Sequence, residues 1–280
     1  MVKNILVATD GSDYSKTALE YGIYIAKRLD ARLTVLHVVD IRIIESPLFG
    51  DISGSVGLLP YQEFVPVIKE SLNERADSIL ETSRERCEKS GLNPELKKVW
   101  GIVNEAIVEE GENADWILLA QRGEYSHLSK GGLLGSTSEA VVRKSRKPVL
   151  VTPISFQEIE SMGLAYDGSE SADNALKIAA ELCDKIRWPL SIIIITDESK
   201  QAADFSKRIE EILDPYEEID SDIVILRGKV EQEIIKFIQE GSVELMVMGA
   251  RGHSRFRELI LGSTTSYVIR KSTIPILMVR

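Results

Sequence analysis

Two hydrophobic rhythms alternate along the chain. Short continuous apolar runs occupy 4–9, 33–39, 95–100, 116–121 and 148–152, and a second set occupies 163–166, 191–196, 222–227, 245–249 and 275–279. Runs this short and this rich in Val, Ile and Leu suit parallel strands covered on both faces. Between the first two runs of each set the period changes to that of a helix: Ser15, Ala18, Leu19, Gly22, Ala26 and Leu29 in one, Ala172, Ala175, Leu176, Ala179, Leu182, Cys183 and Ile186 in the other. Helical crossovers make the strands they join parallel. The pattern therefore predicts an α/β chain of two tandem doubly wound domains, each a five-stranded parallel sheet of Rossmann-like type, over 1–155 and 160–280.

The two sets are copies. Asp10-Gly11-Ser12 matches Asp167-Gly168-Ser169 at an offset of 157, and Ala18-Leu19, Leu33 and Asp40 find Ala175-Leu176, Leu190 and Asp197 at the same offset. Further on, Gly135-Ser136 and Arg143-Lys144-Ser145 match Gly262-Ser263 and Arg270-Lys271-Ser272 at an offset of 127. The drop from 157 to 127 places about thirty extra residues in the first copy. Pro47, Gly50, Gly54, Gly57 and Pro60 put them in an inserted loop at 41–63, suited to covering a pocket, to a dimer contact, or to packing on itself.

Composition narrows the function. With 44% apolar residues, the 280-residue chain can bury two cores of ordinary size. A net charge of −10 argues against a general nucleic-acid binder, which needs clustered cations. Cys87 and Cys183 make no disulfide framework, and His37, His127 and His253 lack metal-ligand spacing. No apolar run is long enough to span a bilayer and the amino terminus shows no signal peptide, so a soluble, cytoplasmic protein without a membrane partner is expected.

Chemistry concentrates after the fourth run of the second set. Met248 and Gly249 end that run, and Gly249, Gly252, Gly262 and Ser263 follow the spacing G-x-x-G, nine residues, G-S. Glycines let a loop turn its amides towards an anion. Gly262, Ser263, Thr264 and Thr265 then open a helix whose first N–H groups lack intrahelical partners. Arg251, His253, Arg255 and Arg257 add local positive charge. The bland reading of each residue is a turn, a cap or a solvated face.

This spacing, the strand ending in Asp167 and the duplication together resemble the universal stress protein family in a tandem form, over nearly the whole chain twice. The resemblance implies an adenine nucleotide alpha hydrolase-like fold and ATP, accompanied by Mg²⁺, as ligand. It also implies that Asp167 accepts a hydrogen bond from the nucleoside and that the backbone of Ile195 meets the adenine edge. Met248, Gly249, Arg251, Gly252, His253, Gly262, Ser263 and Thr264 would complete the site. The function implied is an ATP-binding stress-response or regulatory protein whose occupancy biases conformation or partner binding. Slow Mg²⁺-dependent ATP hydrolysis or phosphoryl transfer, with no catalytic base visible, and a nucleotide-free scaffold remain open beside it.

The first copy departs from the motif. Ala120 replaces the first glycine, eleven residues separate Gly123 from Gly135, and Glu124 stands where His253 stands in the second copy. Ser136-Thr137-Ser138-Glu139 reads as a capping box, and Lys130-Gly131-Gly132 as an alternative anion loop. A degenerate, empty first site is expected. The stretch 11–17 fails as a P-loop because Ser15 occupies a required glycine position. Finally, Pro148 and Pro275 open the last strand of each copy, as suits edge strands, and single-domain relatives in the family dimerise through that edge. Antiparallel pairing of the two last strands within one chain is expected, with a homodimer left open.

Overall fold

The computed structural model describes residues 2–45, 61–124, 135–216, 218–250 and 262–280. Its first half runs β1 (Asn4–Ala8), α1 (Asp13–Leu29), β2 (Arg32–Asp40), α2 (Arg42–Glu45), α3 (Tyr61–Lys89), β3 (Glu95–Gly101), α4 (Val103–Gly111), β4 (Trp116–Ala120), α5 (Ser136–Lys144) and β5 (Val149–Thr152). The second runs β6 (Met162–Tyr166), α6 (Glu170–Ile186), β7 (Leu190–Ile195), α7 (Ser199–Leu213), β8 (Ser221–Leu226), α8 (Val230–Gln239), β9 (Leu245–Gly249), α9 (Ser263–Lys271) and β10 (Ile276–Val279). Each strand lies within a residue of its predicted run at either end.

All ten strands form one sheet in the order β3-β2-β1-β4-β5-β10-β9-β6-β7-β8. Neighbours are parallel except at the centre, where β5 and β10 pair antiparallel through Ile276 with Val151, Leu277 with Leu150 and Met278 with Val149. The two proline-led strands are thus each the edge of their own half, and each covers the other's unpaired backbone groups. One apolar layer lies under α1 and α6 and contains Leu150 and Leu277 together with Val7 and Leu164. The opposite layer, with Ile107, Val141, Ile234 and Val268, lies under α4, α5, α8 and α9. Both layers run through the seam, so the halves share a core.

Local chemistry repeats with the duplication. Ser12 and Ser169 cap α1 and α6 by accepting from the amides of Ser15 and Ala172. Both helices stop at a residue in the left-handed region, Asp30 at φ 55° and Arg187 at φ 66°. The connector is tied to the first half: Thr17 Oγ1 donates to the Ile154 carbonyl at 2.7 Å and Tyr24 Oη to that of Ile159 at 2.7 Å.

The insertion is only partly a loop. Its described ends, 42–45 and 61–63, are helical, while 46–60 lie outside the described residues. Much of the excess is helix, because α3 has 29 residues against 15 in its counterpart α7. Turn residues mark where a chain breaks, and the lengthening of a neighbouring helix left no punctuation to read. No helix among the described residues is long and apolar enough to cross a membrane.

Candidate functional site

Parallel strands put their carboxyl ends on one rim of the sheet, and ligands of open α/β sheets bind where the strand order reverses. In the second half that point lies between β6 and β9. The register Tyr166 with Ile194, and Ala165 with Met248, brings Asp167, Ile195, Met248 and Gly249 to the same rim. Gly262, Ser263 and Thr264 begin α9. Gly262 is the N-cap and supplies no side-chain hydrogen bond, and Gly262 and Ser263 are exposed. The first amides of α9 are therefore not taken up by a capping side chain. Arg251, Gly252 and His253, with Arg255 and Arg257, lie outside the described residues.

The rim is braced from below. Ser169 N–H donates to Asp167 Oδ1 at 3.0 Å, which fixes the carboxylate over the start of α6. Just before it, Tyr166 Oη donates to buried Asp173 at 2.6 Å, and Arg208 of α7 bonds the other oxygen of Asp173. Burial, then Asp173 as hydrogen-bond partner and charge, push the Tyr166 phenol well above its usual range, so it stays a neutral donor. Gly249 has a reason of its own. A Cβ there would lie 3.0 Å from Ala172 N and from Ser171 C, so its bare Cα admits the first turn of α6.

The corresponding rim of the first half holds a cavity of about 590 Å³ between β1, β2 and β4. Asp10, the equivalent of Asp167, accepts from Ser12 N–H at 3.0 Å and from Glu124 N–H at 2.8 Å. Burial raises its pKa, but the hydrogen bonds from Ser12, Glu124 and Ser15 outweigh burial and hold it below the ordinary carboxylate value. Gly123 permits that contact, since a Cβ there would lie 2.7 Å from Asp10 Oδ2. Arg75 of α3 pairs with Glu124 at 2.5 Å.

The capping box expected at Ser136–Glu139 is not formed. Gly135 is the N-cap of α5 without a side-chain bond, and Glu139 donates its backbone N–H to the Gly135 carbonyl. The shift of the helix start by one residue carries Glu139 past the box position, and Ser138 Oγ turns to the Ala120 carbonyl at 2.6 Å. Lys130, Gly131 and Gly132 lie outside the described residues, as does His127. Sequence reasoning also gave no role to His37, which lines the cavity beside Arg42 of α2 and Arg75 of α3. The signal was present, because His37 interrupts an apolar run whose counterpart at the 157-residue offset is Ile194. No cluster of three metal-ligating side chains occurs among the described residues.

Comparison with known proteins gives one answer over the whole chain. The profile described as the Universal stress protein family matches residues 1–153 and again 158–280. A universal stress protein of Synechocystis is 32% identical over 289 aligned positions that cover 100% of both chains. One of Methanocaldococcus jannaschii is 36% identical over 156 positions, covering 54% of this chain and 94% of its own. The crystal structure of a universal stress protein from Archaeoglobus fulgidus superimposes with a TM-score of 0.75 at 26% identity, over 99% of this chain and 96% of that one.

Proposed function

Because the chain belongs to the universal stress protein family, we propose that it is an ATP-binding stress-response protein whose triphosphate is held by the second half, with occupancy biasing its conformation or a partner surface. The observation that carries this reading is the β6–β9 rim. There Asp167 and Ile195 stand at strand ends, facing a glycine-capped α9 whose leading amides are left for a ligand. Backbone amides and the helix dipole favour phosphate at such a start. Asp167 and the Ile195 backbone take the nucleoside, while Gly252, Gly262, Ser263 and Thr264 take the phosphates. Arg251 and His253 supply positive charge, and Mg²⁺ enters with the phosphate oxygens. The role is binding, with no catalytic residue assigned.

Mass spectrometry of the protein denatured after gentle purification should detect an adenine nucleotide. Calorimetric titration should return one ATP per chain, and ATP at a hundredfold over its dissociation constant should stabilise the chain by about 2.7 kcal/mol. Two equivalent triphosphate sites would sink the asymmetry between the halves. No heat and no thermal shift on adding ATP would favour a nucleotide-free scaffold instead.

A further inference from the structure

The residues on either side of Asp167 are gripped by α7. Gly168 takes φ 75°, in the left-handed region, and the ring of Phe205 lies against it: a Cβ on Gly168 would come within 2.3 Å of Phe205 Cε1 and 2.7 Å of Cζ. The same ring meets Tyr166 edge-on, with centroids 5.6 Å apart and planes at 87°. Arg208 follows three positions later, on the same face of α7. It bonds one carboxylate oxygen of Asp173 in the first turn of α6, while Tyr166 Oη donates to the other at 2.6 Å. Both oxygens of a side chain that is only 11% exposed are thus engaged, one from the strand that leads to Asp167 and one from α7.

The first copy is tied differently. Ile79 of α3 takes the place of Phe205 over Gly11, but Thr9, the counterpart of Tyr166, bonds its Oγ1 to Ser15 Oγ at 3.1 Å within its own turn. Lys16 stands at the position of Asp173 and pairs outward with Asp13 at 2.8 Å. Packing over the glycine is therefore common to both copies, whereas the link from Arg208 through Asp173 to Tyr166 occurs in the copy whose nucleotide motif is intact. That link also bears on how α7 is held. Ala202 and Ile209 are its buried residues, with Phe205, Ile212 and Leu213 half-buried, while α6 buries Ala175, Leu176, Ala179 and Leu182 among others. A helix so lightly buried belongs to the low-stability end of a structure, where a ligand can shift its docking.

We propose that Phe205 and Arg208 are positioning residues for Asp167: α7, docked through them, holds the β6–α6 turn in the form that receives a nucleoside, and a nucleoside on Asp167 in turn secures α7. The coupling runs both ways, since whatever affinity α7 docking gives the ligand is returned by the ligand to α7. The docking of α7 is then what reports occupancy to the rest of the molecule. The proposal rests on the nucleotide reading of the second half and concerns its nucleoside end alone.

The test uses the full chain with ATP and inorganic tripolyphosphate as probes, read by calorimetry and amide exchange. Arg208→Ala should weaken ATP about tenfold, the effect of one misplaced hydrogen bond to the nucleoside, and should leave tripolyphosphate unaffected because the phosphates rest on α9. A change that merely loosened the domain would weaken both probes. In an Asp167→Ala background Arg208→Ala should have no further effect on ATP, as expected when one residue acts through the other. Arg208→Lys, which keeps a charged donor for Asp173, should recover part of the affinity. Phe205→Leu, which covers Gly168 but loses the edge contact with Tyr166, should weaken ATP in the same sense, and it carries the test where Arg208→Ala folds poorly. In the parent ATP should slow exchange in 202–213, and Asp167→Ala should remove that protection. The proposal is overturned if Arg208→Ala and Phe205→Leu bind ATP as the parent does, if they weaken tripolyphosphate as much as ATP, if Arg208→Ala and Asp167→Ala are additive, or if ATP leaves exchange in α7 unchanged. In each of those results the parent still binds ATP. A parent that binds neither probe would instead remove the nucleotide reading of the second half, and this proposal with it.

Discussion

Leu277→Asp is expected to unfold both halves of the chain in a single transition. Leu277 faces Leu150 across the β5–β10 junction, and both are 0% exposed. Their side chains belong to an apolar layer that contains Val7 and Leu118 from the first half and Leu164 and Val247 from the second. An unpaired carboxylate there loses the leucine's packing and must also be desolvated or protonated, at a cost of several kcal/mol. That is a large fraction of the roughly 5–15 kcal/mol that holds a domain folded. Two independent domains would confine the damage to the second half. A shared sheet spreads it, because removing β10 strips β5 of its antiparallel partner and opens an apolar edge. Amide exchange should show β1 and β4 losing protection together with β6 and β9. Retained protection in β1 and β4, with only β6 and β9 melting, would show that the seam is dispensable to the first half. Deleting 274–280 should give the same result more severely.

The junction shows what kind of information a sequence carries openly. Strands were legible because the apolar runs are short, continuous and bounded, and burial on both faces leaves no other use for them. Pro148 and Pro275 located the seam because a missing N–H restricts where a strand can lie. The duplication then made one half a check on the other, down to paired caps at Ser12 and Ser169. Three features were hidden. The extra residues of the first copy were read as a loop at 41–63, although much of the excess lengthens α3 to 29 residues against 15 in α7, since Pro47 to Pro60 signal a break while nothing signals how far the following helix is extended. The capping box at Ser136 failed by a single residue, within the ordinary uncertainty of a helix start. His37 lies within a strand run, but its surroundings come from Thr9, Asp10, Arg75 and Glu124, and only folding brings these together. In the second half the family resemblance named Asp167, Ile195, Met248, Gly249 and Gly262, and the structure brings the first four to one rim because parallel strands end there, with Gly262 at the start of α9.

The motif glycines should separate into two classes when replaced. Gly249→Val is expected to lower stability without ATP by about 3 kcal/mol or more, since the first added carbon would sit 3.0 Å from backbone atoms of Ser171 and Ala172, and a helix start cannot give way as a flexible side chain can. The first half carries Ala120 at this place, so Gly249→Ala should be the milder change and Val the decisive one. Gly262 is different: its φ is −57°, and among the described residues a Cβ there would meet only Thr265 Oγ1, at an ordinary 3.7 Å. Gly262→Val should therefore cost less than about 1 kcal/mol without ligand, mostly through a poorer N-cap. Its branched side chain would nevertheless stand beside the leading amides of α9, and the stabilisation by ATP should disappear. Urea unfolding of the parent and both variants, with and without ATP, separates the effects. A Gly249→Val protein as stable as the parent would mean that α6 and β9 are not in tight backbone contact. A Gly262→Val protein that kept the full ATP shift would mean that the phosphates do not rest on α9. The spacing of the motif then reflects two demands placed on one loop: close packing where it leaves the sheet, and open amides where it enters the helix.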